Sequence, residues 1–381
     1  MRIAYLYPAL NTVGGADRVI IEKANYLSDV YGHEVYIITA QQNNSPVFFQ
    51  LSPGVKHIDL NVNFFEQYRY SLVKRSLTYM RLLKEYKRKV KDILFQLRPD
   101  ITITTISRDI DFLHTIKDGS IKIAEAHVAK PYIRDIHLLM KKGVLYYFIG
   151  KIWIKKLEKA IRKFDALVVL THHDADSWKK IKKAVVIPNS VPFYPEQVST
   201  CEEKKIISVG RLCEQKGYDM LIDAWETVHK KHPDWIIKIY GNGMEYDRLT
   251  RSLEEKKLTD SFIITPPVKN IIDKYTESSI YVMSSRFEGF GMVLIEAMAC
   301  GVPCVSFDCP HGPSDIIKDG EDGFLAENAN IEQLAEKIIY LIENKEKRIE
   351  MGHKARENVV RYLPKNIMPQ WENLFESLLN R

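Results

Sequence analysis

Short runs of aliphatic and β-branched residues alternate along the whole chain with longer stretches in which apolar residues return at helical spacing. That alternation is the mark of parallel sheets wrapped by helices, an α/β architecture. In the first half the pattern predicts strands at Ile3–Tyr7, Glu34–Ala40, Ile101–Ile106, Lys122–His127, Ala166–Thr171 and Ala184–Asn189. In the second half it predicts them at Lys205–Gly210, Ile236–Gly241, Ser261–Pro266, Ser279–Ser285 and Pro303–Asp308. Each half restarts one theme, a strand leading through a glycine loop into a helix: Y-L-Y-P…V-G-G-A first, S-V-G-R-L second.

Two Rossmann-like, doubly wound domains explain this restart better than one very large sheet, and 381 residues suffice for two cores. The seam is expected in I-P-N-S-V-P-F-Y-P, Ile187–Pro195, where three prolines interrupt regular structure. The domains expected are therefore 1–190 and 191–381, with the last helix, about 364–381, packing back on the first. Ligands of open parallel sheets bind outside the carboxyl ends of the strands. In a two-domain arrangement both sets of strand ends would face one cleft.

One stretch carries most of the chemistry: R-F-E-G-F-G-M-V-L-I-E-A-M-A-C-G-V-P, Arg286–Pro303. A loop pinched by Gly289 and Gly291 opens into a short apolar helix interrupted by Glu296, a carboxylate that must be paired or hydrogen-bonded there. Glu288 sits on the loop. The N–H groups of Phe290, Gly291 and Met292 are expected to point outward at the positive helix end, which suits an anion. Two carboxylates flanking such a site suit a ligand with hydroxyls and phosphates together, such as a nucleotide-sugar.

In S-V-G-R-L-C-E-Q-K-G, Arg211 and Lys216 follow a strand end, where two cations are well placed to hold a diphosphate. Y-G-N-G brings Gly241 and Gly243 to the next strand end, where bare backbone can approach a ribose or base. T-P-P-V-K, with Val268, is a candidate to lie against a base edge. In the first half, Gly14 and Gly15 of V-G-G-A-D-R follow the first strand, let the chain pass close to a ligand and are candidate donor-binding residues. They lack the full G-x-G-x-x-G fingerprint, so a nicotinamide cofactor is not supported. His127 ends the strand K-I-A-E-A-H, with Glu125 on the same strand face, and is a candidate to touch substrate.

These motifs resemble glycosyltransferase family 4, retaining enzymes of the GT-B fold, over nearly the whole chain. The resemblance implies that Arg211 and Lys216 bind the donor diphosphate, that Glu288 holds the donor sugar hydroxyls and that Glu296 holds the ribose hydroxyls. It implies backbone donors at Phe290, Gly291 and Met292, and places His127 near the reacting sugar. D-C-P-H-G-P-S-D-I-I, Asp308–Ile317, is similar to members that build bacterial exopolysaccharides and capsules. The chain departs from the family pattern at Met244, often proline, and Asp315, often glutamate. The expected donor is a UDP-sugar and the expected acceptor a saccharide, lipid-linked. The alternatives are a GDP-mannose-dependent transferase, a sugar-nucleotide epimerase of similar fold, or a non-catalytic nucleotide-sugar-binding module.

No cofactor or metal is expected. Arg211, Lys216 and the helix start at Phe290–Met292 can balance a leaving diphosphate, and no D-x-D falls at a predicted strand end. Same-face attack is favoured, with the leaving phosphate taking the acceptor proton. The five cysteines include no C-x-x-C pair, and Cys300, Cys304, Cys309 and His311 are spaced more loosely than zinc ligands.

Composition adds location and partners. A hydrophobic fraction of 45% and a charged fraction of 27% are those of a soluble globular protein. No apolar run reaches the length of a membrane span, and M-R-I-A-Y-L-Y-P reads as a strand and not a signal peptide. A cytoplasmic location is expected. Residues 1–190 hold 31 Lys and Arg against 18 Asp and Glu, although the whole chain is only +6. Such asymmetry suggests an anionic surface or substrate on the first half. No nucleic-acid motif accompanies it.

The helical face with Lys74, Arg81, Lys84, Arg88 and Lys91 is one candidate for anionic-lipid contact. Leu82, Leu83, Tyr86, Val90, Ile93, Leu94 and Leu97 on the other face are expected in the core. V-L-Y-Y-F-I-G-K-I-W-I, Val144–Ile154, is expected to pack on the first sheet, with an interfacial patch as the alternative, and Lys179, Lys180, Lys182 and Lys183 add positive charge.

Overall fold

The computed structural model describes residues 1–11, 14–43, 45–181 and 184–380, without the Leu72 side chain. Val13 of the first glycine loop, and Lys182 and Lys183 of the lysine run, lie outside the described residues. Two compact units are present: Met1–Pro188 together with the chain from Ile367 onward, and Asn189–Asn366.

The first unit is built on a parallel sheet of β1 (Arg2–Tyr7), β2 (Glu34–Thr39), β3 (Val55–Asp59), β4 (Ile101–Thr104), β5 (Ile121–Ala126), β6 (Ala166–Val169) and β7 (Ala184–Val186). Its spatial order is β3-β2-β1-β4-β5-β6-β7. The second carries β8 (Lys205–Val209), β9 (Ile236–Tyr240), β10 (Phe262–Thr265), β11 (Ile280–Met283), β12 (Cys304–Asp308) and β13 (Gly323–Glu327), ordered β10-β9-β8-β11-β12-β13. Both sheets therefore start in the middle, wind outward, and reverse direction beside their first strand. The reversal lies between β1 and β4 in one and between β8 and β11 in the other, the switch point at which doubly wound sheets bind ligands. All strand pairs are parallel, with Ile3 in register with Val35 and Ile101, and Ile206 with Ile237 and Ile280.

Central strands are buried on both faces, as parallel sheets require. Ile3, Ala4, Tyr5 and Leu6 of β1, and Ile280, Tyr281 and Val282 of β11, are fully inaccessible. The two strands that the hydrophobic pattern does not pick out, β3 and β13, are both edge strands and largely half-exposed. The long helix Leu72–Leu97 buries Leu82, Tyr86, Val90 and Leu94 at four-residue spacing, with Leu83, Ile93 and Leu97 partly buried around them. Each such side chain contributes about 1.5–3 kcal/mol. The helix stops at Arg98, in the left-handed region at φ 47°, because Pro99 cannot continue it.

The helix Val144–Ile161 departs from expectation. It buries only Gly150, Leu157, Ala160 and Ile161, and its first two turns lie open to solvent. Apolar residues occupy the whole circumference of that segment, so periodicity did not reveal which face is covered.

The first unit also encloses a charge network. Lys23, from the helix Gly15–Asp29, donates to Glu125 of β5, and both side chains are almost completely buried. The Lys23 ammonium lies 3.9 Å from the centroid of the Trp371 ring, in the helix Pro364–Leu379, and His33 contacts Glu372 of the same helix at 2.9 Å. Burial opposes ionisation of Glu125, but Lys23 and His127 outweigh it and bring its pKa down to about 2. Ionised Glu125 thus stabilises the fold above the ordinary carboxylate value of 4.5, and that contribution is lost as pH falls towards 2. Replacing Glu125 with Gln strands the Lys23 charge and should cost about 3–5 kcal/mol. Denaturant unfolding at neutral pH measures this; replacing Lys23 and Glu125 together with apolar residues should recover much of the loss.

Candidate functional site

At the switch point of the second sheet, the loop after β8 and the loop after β11 are bound to each other. Lys216 Nζ lies 2.7 Å from Glu288 Oε1, both side chains largely buried, and Ser285 Oγ donates to the same oxygen at 2.6 Å. Arg286 holds both carboxylate oxygens of Asp219, at 2.9 and 2.6 Å, and donates to the Glu214 carbonyl. Burial works against the Asp219 charge, but Arg286 holds its pKa below the usual range. Gln215 donates to the Phe287 carbonyl, and its own carbonyl accepts from the Arg286 amide. Ser284 Oγ donates to the Lys216 carbonyl.

Glycine makes this approach possible. Gly217 has φ 62°, and a Cβ there would lie 2.1 Å from the Ser284 carbonyl oxygen. Gly241 and Gly243 serve the same purpose one strand over: their Cβ atoms would meet the Gly210 carbonyl at 1.9 Å and the Leu212 carbonyl at 2.2 Å. The close approach at Y-G-N-G is thus to the chain's own β8 loop. Gly241 accordingly donates to Thr265, and Leu212 to Asn242.

Arg211 differs from its neighbours. It is exposed and makes no ion pair among the described residues, so its guanidinium is available to a ligand. Phe290 is buried against Tyr362 with ring centroids 5.6 Å apart. Gly291, at φ 99°, precedes the helix Met292–Ala299. Among the described residues, the amides of Phe290, Gly291 and Met292 donate to no backbone carbonyl, as expected for an open helix start. Glu296 lies half-buried in that helix and accepts from the Tyr275 hydroxyl at 3.1 Å. Burial and this neighbouring carboxylate hold the Tyr275 phenol well above its ordinary pKa. Val268 stands on the loop after β10, partly exposed, and Met244 is almost wholly exposed.

In the first unit, Gly14 caps the helix Gly15–Asp29 after β1. Asp17, buried in its first turn, accepts from the Tyr7 hydroxyl at 2.7 Å. His127 follows β5 with its Nε2 3.1 Å from Glu125 Oε1, so the carboxylate that holds Lys23 also faces the imidazole.

The structure thus brings together Lys216 and Glu288, which the sequence had placed in separate roles, and sets Glu296 against Tyr275. Sequence reasoning missed Ser285, Tyr275 and Lys23. Ser285 was within reach, three residues before Glu288 in S-S-R-F-E; Tyr275 and Lys23 come from distant helices and left no local signal.

Two doubly wound parallel-sheet units, with cations and carboxylates gathered at a switch point, define a GT-B type transferase fold. The chain belongs to the glycosyltransferases. Residues 193–358 match the family model of glycosyl transferases group 1. A Haemophilus influenzae protein described as an uncharacterized glycosyltransferase is 30% identical over 98% of this chain and 99% of its own. The amylovoran biosynthesis glycosyltransferase AmsD of Erwinia amylovora is 32% identical over 58% of this chain and 67% of its own. Among solved structures, an S. aureus TarM variant in complex with fondaparinux, alpha-GlcNAc-glycerol and UDP superposes with a TM-score of 0.79 at 18% identity, covering 98% of this chain and 99% of that one.

Gly217→Ala tests the geometry. Strain at its positive φ and the clash with Ser284 should cost roughly 1–3 kcal/mol and part Lys216 from Glu288. The unfolding midpoint and the affinity for UDP should fall together; a variant unchanged in both would refute the role assigned to this contact.

Proposed function

We propose that the chain is a retaining hexosyltransferase that moves a sugar from a UDP-sugar to a lipid-linked saccharide in the synthesis of a cell-surface polysaccharide. The observation that carries this reading is the meeting of Lys216, Glu288 and Ser285 at the β8/β11 switch point, with the exposed Arg211 on the same loop as Lys216. UDP bound to TarM supports the choice of donor, and the names of two relatives, the amylovoran biosynthesis glycosyltransferase AmsD and a Streptomyces coelicolor exopolysaccharide phosphotransferase, support the pathway class.

In this proposal Arg211 and Lys216 hold the diphosphate, the amides at Phe290–Met292 add uncharged donors, and Glu288 receives the sugar hydroxyls. Glu296 takes the ribose hydroxyls, with Tyr275 fixing its carboxylate. Gly241, Gly243 and Val268 border the base. The acceptor oxygen attacks the anomeric carbon from the face that the diphosphate leaves, the carbon–phosphate-oxygen bond breaks, and the departing phosphate takes the acceptor proton. Charge therefore grows on the leaving group, where Arg211 and Lys216 act, and no metal is assigned to the step. His127 is assigned near the reacting sugar by family resemblance, and the loop at Gly14–Gly15 to the donor as a place where bare backbone can approach a ligand.

Arg211→Ala should lower turnover roughly a hundred-fold or more with little change in stability, since an exposed guanidinium is lost from a charge-stabilising position. EDTA should leave the rate unchanged; activity lost to EDTA and restored by magnesium or manganese would contradict the metal-free step. UDP should raise the melting temperature more than GDP at equal concentration, because a ligand stabilises the state it binds. A larger shift with GDP would reassign the donor.

A further inference from the structure

Among the described residues no helix is long and apolar enough to cross a membrane. One is nevertheless apolar where it faces solvent. The short helix Ile136–Met140 and the helix Val144–Ile161 form a hairpin joined through Gly143. Gly150 lets them close together: a Cβ there would lie 2.3 Å from Met140 Cγ and 3.2 Å from Ile136 Cγ2. The covered face of the second helix is Gly150, Leu157, Ala160 and Ile161. At 100° per residue, Val144, Leu145, Phe148 and Ile152 lie on the opposite side, each 60% to 76% exposed. Tyr146, Tyr147, Trp153 and Leu138 extend the exposed apolar surface. Apolar side chains clustered this way on a helix face mark an interaction surface.

Charge identifies what covers it. Between Ile136 and Ile161 the hairpin carries Lys141, Lys142, Lys151, Lys155 and Lys156 ahead of its one carboxylate, Glu158, which pairs with Lys130. All five lysines are exposed, and none makes an ion pair among the described residues. On the outward face the apolar residues occupy the first turns and the lysines the later ones. The basic face of Leu72–Leu97 is partly neutralised, since Arg81 pairs with Glu66 and Arg88 contacts Asp92, while Lys74, Lys84 and Lys91 make no ion pair among the described residues; its Leu82, Tyr86, Val90 and Leu94 face the core. A second copy of the chain would set the same unneutralised lysines against each other. Aliphatic side chains flanked by tyrosine, tryptophan and lysine match the layering of an anionic bilayer surface, acyl chains beneath charged headgroups.

We infer that the hairpin Ile136–Ile161 is a membrane-docking element, with Leu145, Phe148 and Ile152 entering the acyl boundary and the lysines engaging anionic headgroups. The inference extends the lipid-linked acceptor proposed above and supplies a surface on which such an acceptor would be met. Its test needs no turnover, so its failure is separable from that of the donor assignment.

Trp153 makes the test direct. Trp178, Trp225, Trp235 and Trp371 are buried, whereas Trp153 is 51% exposed, so collisional quenching reads this hairpin selectively. The full chain is mixed with vesicles of phosphatidylglycerol and phosphatidylcholine, or of phosphatidylcholine alone. Co-sedimentation and acrylamide quenching are measured across a salt series. Wild type should bind the anionic vesicles at least about ten-fold better than the neutral ones, lose that preference as salt shortens the screening length, and show Trp153 protected when bound. The variant Leu145→Ser/Phe148→Ser/Ile152→Ser alters exposed positions only. It should keep its melting temperature and UDP-induced shift while binding at least about ten-fold less.

Wild type left in the supernatant at low salt would overturn the inference. So would equal sedimentation of the triple variant, or vesicle binding with Trp153 still fully quenched. Sedimentation velocity without lipid provides the last arm: self-association of wild type that the triple variant lacks would assign the surface to a second copy and overturn membrane docking.

Discussion

Lys216 and Glu288 are separated by 72 positions in the chain and by 2.7 Å in space. Everything assigned to the second unit depends on that pairing. It joins the loop after β8 to the loop after β11 at the point where the sheet reverses, and so fixes where Arg211 and the start of the helix Met292–Ala299 stand. Withdrawing two charges from water costs several kcal/mol for each, and a pair at this depth does little better than break even for stability. The fold has other means of closing the contact: the Arg286–Asp219 bridge, the Ser284 and Gln215 hydrogen bonds, and the glycine at 217. An ion pair that adds little net stability, set in a switch point, suits a ligand that can take up both partners.

The first unit shows a comparable arrangement at greater depth. Glu125 stands between Lys23 and His127, and Lys23 lies against Trp371. The imidazole therefore lies beside a carboxylate that cannot move without leaving a buried ammonium unpaired. The chain from Ile367 onward is part of this packing, with Trp371, Phe375 and Leu378 buried in it. Peripheral as it is in sequence, the last helix covers the charge network behind His127.

Much of this was legible in advance because parallel sheets impose strong local patterns. Central strands read as unbroken apolar runs, and the glycine loops that follow them are set by close backbone approach, so strand ends and motif loops emerge together. β3 and β13 were not legible because their short runs, V-K-H-I-D and G-F-L-A-E, are broken by polar or small residues, whereas the other two edge strands, β7 and β10, keep apolar runs. The need of Glu296 for a partner could be stated from the apolar helix around it, but Tyr275 could not be named, since nothing local links the two. Gly241 and Gly243 were read as openings towards a ligand, whereas steric contact with Gly210 and Leu212 already requires them. The helix Val144–Ile161 defeated periodicity for the opposite reason: it is apolar on the side it buries and on the side it exposes.

The central claim is that Lys216 and Glu288 act on the donor as a coupled pair. A double-mutant cycle tests it most directly, using Lys216→Met, Glu288→Gln and the two combined, with calorimetric affinities for UDP and for a UDP-hexose. The account predicts that the two substitutions are coupled for the UDP-hexose by about 0.5–3 kcal/mol, as for residues in one network, and that Glu288→Gln affects the UDP-hexose more than UDP. Strictly additive effects, or a Glu288→Gln protein that binds both ligands as the wild type does, would contradict it.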